Sequence, residues 1–394
     1  MFRNFFATVV GLGLVPSAWA ASLVVSHYTG RLYTLEFTQN GASGTLAITS
    51  NASGCGTLPA WLELYPEDRR LWCFDESWFG RGNIASFNVA SNGQLSMAQQ
   101  FSTTGNDVHG VLYGGSNGKS FIATAQYSPS TITTYRVPTS SSNAVLQQQR
   151  FTMSRPGPNP RQDVPHPHEV IVDPTGNFLL VPDLGADLIR IFSINHSTGQ
   201  LTSCGSGQAS PGDGPRHGKF WTPASSTNAT DGLRLYTLNE LGNSVSAWTV
   251  SYGSGCMSLS RTQTLSTYAA GVTPGSDTKA AELQLFGNFL YAANRADQTF
   301  GTDQDSIATY TINASTGALT WVEAANAHAY YPRTFQINRA GTLVAVGGQT
   351  SSNVAILSRD VSTGRIGGLI ASIQVASRGR PGQEDGLSAV IWNE

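Results

Sequence analysis

Charged side chains make up only 12% of the 394 residues, yet a few short segments gather them beside histidine. His166-Pro167-His168-Glu169 is one such segment and Pro215-Arg216-His217 another; His109, Glu240, Arg295 and Arg333 stand in comparable settings. Of the 7 histidines, His109, His166, His168 and His217 all fall in these stretches. Guanidinium groups hold carboxylates or phosphates through paired hydrogen bonds. A histidine or glutamate beside them can move a proton once burial and neighbouring charge tune its affinity. Arginines that share one space repel each other unless carboxylates answer them, and Glu76, Asp183 and Glu240 are few for that task. Such a site suits a small anionic ligand. The structural alternative is a polar lining, bonded to itself and to trapped water. Asp183 fits that alternative, because Pro182-Asp183-Leu184-Gly185 reads as a strand-to-turn junction whose carboxylate bonds backbone amides. No metal and no cofactor are expected: no Cys/His spacing suits zinc, and Asp173, Asp303 and Asp305 lack calcium-loop spacing.

A repeat positions these residues. Seven apolar runs ending in a polar residue recur at a spacing of roughly 50 to 58 residues. They are Leu23–Tyr28, Leu71–Glu76, Phe121–Gln126, Phe178–Asp183, Leu235–Glu240, Leu290–Arg295 and Val344–Gln349. A second β-rich stretch follows each, often with a Gly-containing turn. The period, the strand character and the absence of helical periodicity predict an all-β fold, a single seven-bladed β-propeller over residues 21–394. Closing seven blades into a ring removes exposed sheet edges. The apolar runs are expected to be the innermost strands. Their polar ends, and the segments leading into them, would then meet around one channel.

Net charge is −2, so no basic field favours nucleic acid. Residues 1–20 read as a secretory leader: Arg3 opens it, Phe5–Val15 is apolar, and Ala18-Trp19-Ala20 is a small-x-small cleavage site. The apolar run is too short to cross a membrane, and an exported, extracellular protein is expected. Asn51, Asn195, Asn228 and Asn313 each begin an Asn-x-Ser/Thr glycosylation acceptor. The four cysteines allow three pairings. Cys55–Cys73 and Cys204–Cys256 are favoured, since each joins residues within one blade or between neighbours.

The stretch from His166 to Asp187, which includes His-Pro-His-Glu and Val-Pro-Asp-Leu-Gly, resembles the seven-bladed propeller lactonase family. That family includes the bacterial-type 6-phosphogluconolactonases and the eukaryotic carboxy-cis,cis-muconate cyclases. Gly214-Pro-Arg-His-Gly218, Leu238-Asn-Glu-Leu-Gly-Asn-Ser-Val245 and Ala293-Asn-Arg295 resemble it as well, in the order histidine, arginine, glutamate, arginine that the cyclases show. The resemblance implies a catalytic set of His168, Arg216, Glu240 and Arg295, with His168 and Glu240 as the acid/base pair. Arg333, His109 and His217, which the repeat places in the same channel, are taken as substrate-binding. The implied reaction interconverts an unsaturated di- or tricarboxylate and its lactone without a cofactor, on a small carboxylated substrate. Export departs from the intracellular setting of that chemistry. The other expectation is therefore a non-catalytic secreted propeller glycoprotein that serves binding or surface recognition.

Overall fold

The computed structural model describes residues 19–78, 80–138 and 145–394. Among these, 28 strands form seven four-stranded antiparallel sheets, a seven-bladed β-propeller. Among the described residues the helical content is one short 3-10 turn, Pro66–Asp68. No helix among the described residues is long and apolar enough to cross a membrane.

The apolar runs turn out to be the second strand of each blade, which corrects the expectation that they line the channel. The innermost strands precede them: Pro59–Tyr65, Asp107–Tyr113, Ile171–Val172, Pro215–Trp221, Lys279–Phe286, Pro332–Ile337 and, for the first blade, Leu387–Trp392. The reason is packing. A second strand has neighbouring blades on both faces, so it reads as an unbroken apolar run, and Phe121–Gln126 and Phe178–Asp183 are buried along their whole length. An innermost strand borders the polar channel and carries the histidines and arginines. Outermost strands such as Met257–Ser266 largely alternate between exposed and half-buried.

The core therefore lies between blades. Leu23, Leu35 and Phe37 of the first blade meet Leu343, Val354 and Ile356 of the seventh, and each such side chain contributes about 1.5–3 kcal/mol on full burial. Close to the axis the space narrows. A Cβ on Gly110 would stand 2.0 Å from the Phe74 ring, so only glycine fits there.

The first blade is assembled from both ends of the chain. Its outer three strands are Trp19–His27, Arg31–Asn40 and Ser43–Ser53, and the C-terminal strand pairs inside them, with Leu23 opposite Trp392 and Val25 opposite Val390. Residues 1–18, most of the expected leader, lie outside the described residues. Trp19 and Ala20 pair with Gln39 and Thr38, so cleavage before Ala21 would shorten that strand at its start. The two disulfides are Cys55–Cys73, which ties the segment entering the second blade to that blade's second strand, and Cys204–Cys256, which joins the fourth blade to the fifth.

The four acceptor asparagines are exposed. At Asn195 the side-chain oxygen accepts the amides of Ser197 and Thr198 at 3.1 Å. Asn313 does the same for Ser315 and Thr316 at 3.0 Å, and Asp360 for Ser362 and Thr363 at 2.8 Å. At these two asparagines the Asn-x-Ser pattern thus also follows from the turn that joins the third and fourth strands.

Candidate active site

One end of the channel is built from the C-terminal ends of the second strands and the first residues of the innermost ones. Six innermost strands open with a β-bulge, between Pro59 and Trp61, Asp107 and His109, Pro215 and His217, Ala280 and Leu283, Pro332 and Thr334, and Leu387 and Ala389. A bulge leaves a residue outside the ladder and re-aims its side chain. Arg216 and Arg333 occupy equivalent bulge positions, each directly after a proline that cannot donate to the ladder.

Glu240 stands at the centre. Its Oε2 pairs with Arg216 Nε at 2.9 Å, and its Oε1 is shared by Arg295 at 2.9 Å and Arg161. Burial opposes its charge, but Arg161, Arg295 and Arg216 outweigh that and hold the carboxyl well below the usual carboxylate range. His168, also buried, is pushed well below the ordinary histidine range by desolvation and then by Arg216 and His217. It is the neutral base of the cluster, and its Nδ1 is buried without a partner. The four residues expected as the catalytic set are thus neighbours in one electrostatic group.

Beside them is a cavity of about 320 Å³ lined by Tyr127, Arg161, Glu240, Lys279, Arg295, Tyr331, Arg333, Gln349 and Glu384, among others. Arg333 is backed by Glu76 at 3.3 Å, and Tyr28 donates its hydroxyl to the same carboxylate. Of the polar strand ends, Glu240, Arg295 and Gln349 line the cavity, and Tyr28 and Glu76 stand behind Arg333. Gln126 and Asp183 do not take part. Gln126 bonds Asp107 and Thr104, and Asp183 accepts the amides of His166 and Ala186 and pairs with Arg190.

His168 and Arg216 do not line this cavity but are buried beside Glu240, and His109 and His217, expected to bind substrate, do not line it either. His217 is 3.1 Å from Glu282, His109 is 3.5 Å from Glu169, and the Trp61 ring packs against both histidines. Both are pushed well below the ordinary histidine range, first by desolvation and then by His217 in the case of His109 and by Arg216 in that of His217. They belong to a buried polar layer below the site.

Arg161, Tyr127, Lys279, Tyr331 and Glu384 were not foreseen. Arg161 lies in a segment that no other blade repeats, so blade alignment has no position for it. The available signal was a charged residue directly after Pro158-Asn159-Pro160 and shortly before His166, in a chain poor in charge.

A recurring device holds the rim. At the hairpin between second and third strands, a polar residue reaches the start of the next blade. Ser130 donates to the Pro165 carbonyl at 2.6 Å, Asp187 accepts the Gly214 amide at 2.7 Å, and Asn243 donates to the Thr278 carbonyl at 3.2 Å. In the sixth blade Asp305 fills this role for Tyr331.

The family model described as "Lactonase, 7-bladed beta-propeller" matches residues 22–380. The "Probable 6-phosphogluconolactonase" of Arthroderma benhamiae is 31% identical over 92% of this chain and 88% of its own length. The Bacillus subtilis 6-phosphogluconolactonase is 26% identical over 75% of this chain and 79% of its own. Among solved structures, the Pseudomonas aeruginosa periplasmic gluconolactonase PpgL superposes with a TM-score of 0.77 at 25% identity, covering 95% of this chain and 99% of that one. These relatives carry lactonase names. The cyclase side of the expected resemblance has no counterpart among them.

Proposed function

Since the chain belongs to the seven-bladed β-propeller lactonase family, we propose that it hydrolyses the lactone of a small sugar acid at the cationic end of its channel. The observation that carries this reading is the convergence of Arg161, Arg216 and Arg295 on Glu240, beside a neutral His168. Water adds to the lactone carbonyl, and Arg216 and Arg295 stabilise the negative charge that develops on its oxygen. His168 takes the proton from that water. The ring C–O bond then breaks, and the ring oxygen leaves with the proton. Product is a hydroxy acid, whose carboxylate suits the same guanidinium groups.

In this reading Glu240 anchors the arginines and does not donate a proton. That supports hydrolysis over ring closure of an unsaturated di- or tricarboxylate, which would need an acid to protonate carbon. Action outside the cytosol is part of the proposal. It is supported by the leader-like N terminus, the two disulfides and the periplasmic relative.

The test is acid release in a pH-stat with glucono-δ-lactone and its 6-phosphate, for the intact protein and for His168→Ala and Arg295→Ala. Enzyme-dependent release that both substitutions abolish is the expected result. No release above the spontaneous rate with either lactone would sink the reading and favour a binding propeller.

A further inference from the structure

We infer that Arg161 is a substrate-contacting residue that leaves Glu240 to pair with an anionic group on the incoming lactone, and so sets the preference for charged over neutral lactones. This rests on the lactone-hydrolase reading. Three observations single Arg161 out. First, its side chain is 36% exposed, against 2% for Arg216 and 6% for Arg295. Of the guanidinium groups on Glu240 it is the most open to a solute in the cavity. Second, Glu240 keeps two other guanidinium partners without it. Arg295 remains on the shared Oε1 and Arg216 on Oε2 when Arg161 departs, so the buried carboxylate is never left unpaired, which is the costly event. The exchange replaces one carboxylate partner by another.

Third, the loop fixes the backbone of Arg161 independently of the two partners of its side chain, Glu240 and Tyr127. The Arg161 amide donates to Asn159 Oδ1 at 3.0 Å. The neighbouring Gln162 is fully buried, donates to the Leu184 carbonyl at 3.0 Å, and accepts the Gly157 amide at its carbonyl at 2.8 Å. Beyond that anchor, Tyr127 is the second partner of the guanidinium, its hydroxyl accepting from Nη2 at 2.9 Å. Lys279 and Arg333 line the same cavity, so the arriving anion meets further positive charge. A carboxylate and a phosphate both present the paired oxygens that a guanidinium fork takes.

Steady-state hydrolysis of glucono-δ-lactone, of its 6-phosphate and of a glucaric acid monolactone is measured for the intact protein, Arg161→Ala and Arg161→Lys. Arg161→Ala is expected to raise KM about tenfold for one or both charged lactones, with kcat and the neutral lactone little changed; Arg161→Lys should fall between. Loss confined to the phosphate or to the carboxylate lactone identifies the anion. An equal loss on the neutral lactone, or no change on any, overturns the inference. If the intact protein hydrolyses none of them, calorimetric titration with 6-phosphogluconate and glucarate decides. Binding that Arg161→Ala removes upholds the role of Arg161 while the hydrolase reading falls, and equal or absent binding overturns both.

Discussion

Asp305 and Tyr331 belong to different blades, and the carboxylate of the first accepts the backbone amide of the second at 2.7 Å. The same carboxylate takes the amides of Ala296 at 2.9 Å and Gln298 at 2.8 Å. Ala296, Gln298 and Tyr331 all have positive φ, at 58°, 45° and 62°, a conformation that costs non-glycine residues and persists where surroundings enforce it. One buried side chain therefore fixes the backbone beside Arg295 and beneath the Tyr331 ring, which lies 5.2 Å from the Arg295 guanidinium. Asp305→Asn places a donor amide against these N–H groups. We expect kcat/KM on a lactone to fall roughly 10- to 100-fold while Lys279→Arg, on the same rim, changes it far less. Equal effects of the two would show that Asp305 has no special hold on the site.

Glu240→Gln leaves Arg161, Arg216 and Arg295 facing one another without their shared counter-charge. Breaking a buried pair costs about 3–5 kcal/mol, and urea unfolding should register a loss of that order. High salt should restore part of it, since added anions can screen the arginines. A loss below about 1 kcal/mol would mean that the cluster behaves like a surface ion pair.

Stability should peak in mildly acidic to neutral solution. Burial pushes the Asp107 carboxyl up to about 7 and that of Glu169 up to about 8. For these groups the folded chain holds protons that the unfolded chain has lost, so their contribution fades as pH rises through 7 and 8. His109, His168 and His217 are shifted the opposite way by desolvation, so the unfolded chain gains protons first and stability fades as pH falls below about 6.5. Melting temperatures across pH 5–9 should be flattened on the alkaline side by Asp107→Asn or Glu169→Gln. An alkaline limb that neither substitution alters would refute this assignment.

Cys204–Cys256 closes a sequence separation of 52 residues between outer strands of adjacent blades. Replacing both cysteines by serine should cost about 2–4 kcal/mol, read by chemical unfolding, with lactone turnover retained because the bond lies far from the channel. Loss of turnover at temperatures where the variant remains folded would contradict that separation of roles.

Blade number was legible in the sequence because the repeat is short, and the proximity of His168, Arg216, Glu240 and Arg295 because strand ends and entry segments fall in register and the family resemblance named the same four. The order of strands within a blade was misread, since an unbroken apolar run looks like the heart of a repeat. In a propeller, burial on both faces belongs to the strand one step out from the axis. The bulges that aim Arg216 and Arg333 were present as Pro-Arg pairs at equivalent places, Pro215-Arg216 and Pro332-Arg333. Arg161 was invisible to alignment because its loop has no equivalent. Asp305 was read only as a poor calcium ligand, because its partners are backbone amides, which a sequence does not display.

The pairing of Leu23 with Trp392 and of Val25 with Val390 also bears on biosynthesis. A chain emerging from the ribosome can form its middle blades as they appear, but the first blade waits for Leu387–Trp392, which follows the other six. Until Leu387–Trp392 is released, the strand Trp19–His27 offers an unpaired inner edge that another molecule could occupy. Closure of the ring therefore comes after the other six blades. A chain lacking Leu387–Trp392 would be an open arc prone to joining its neighbours.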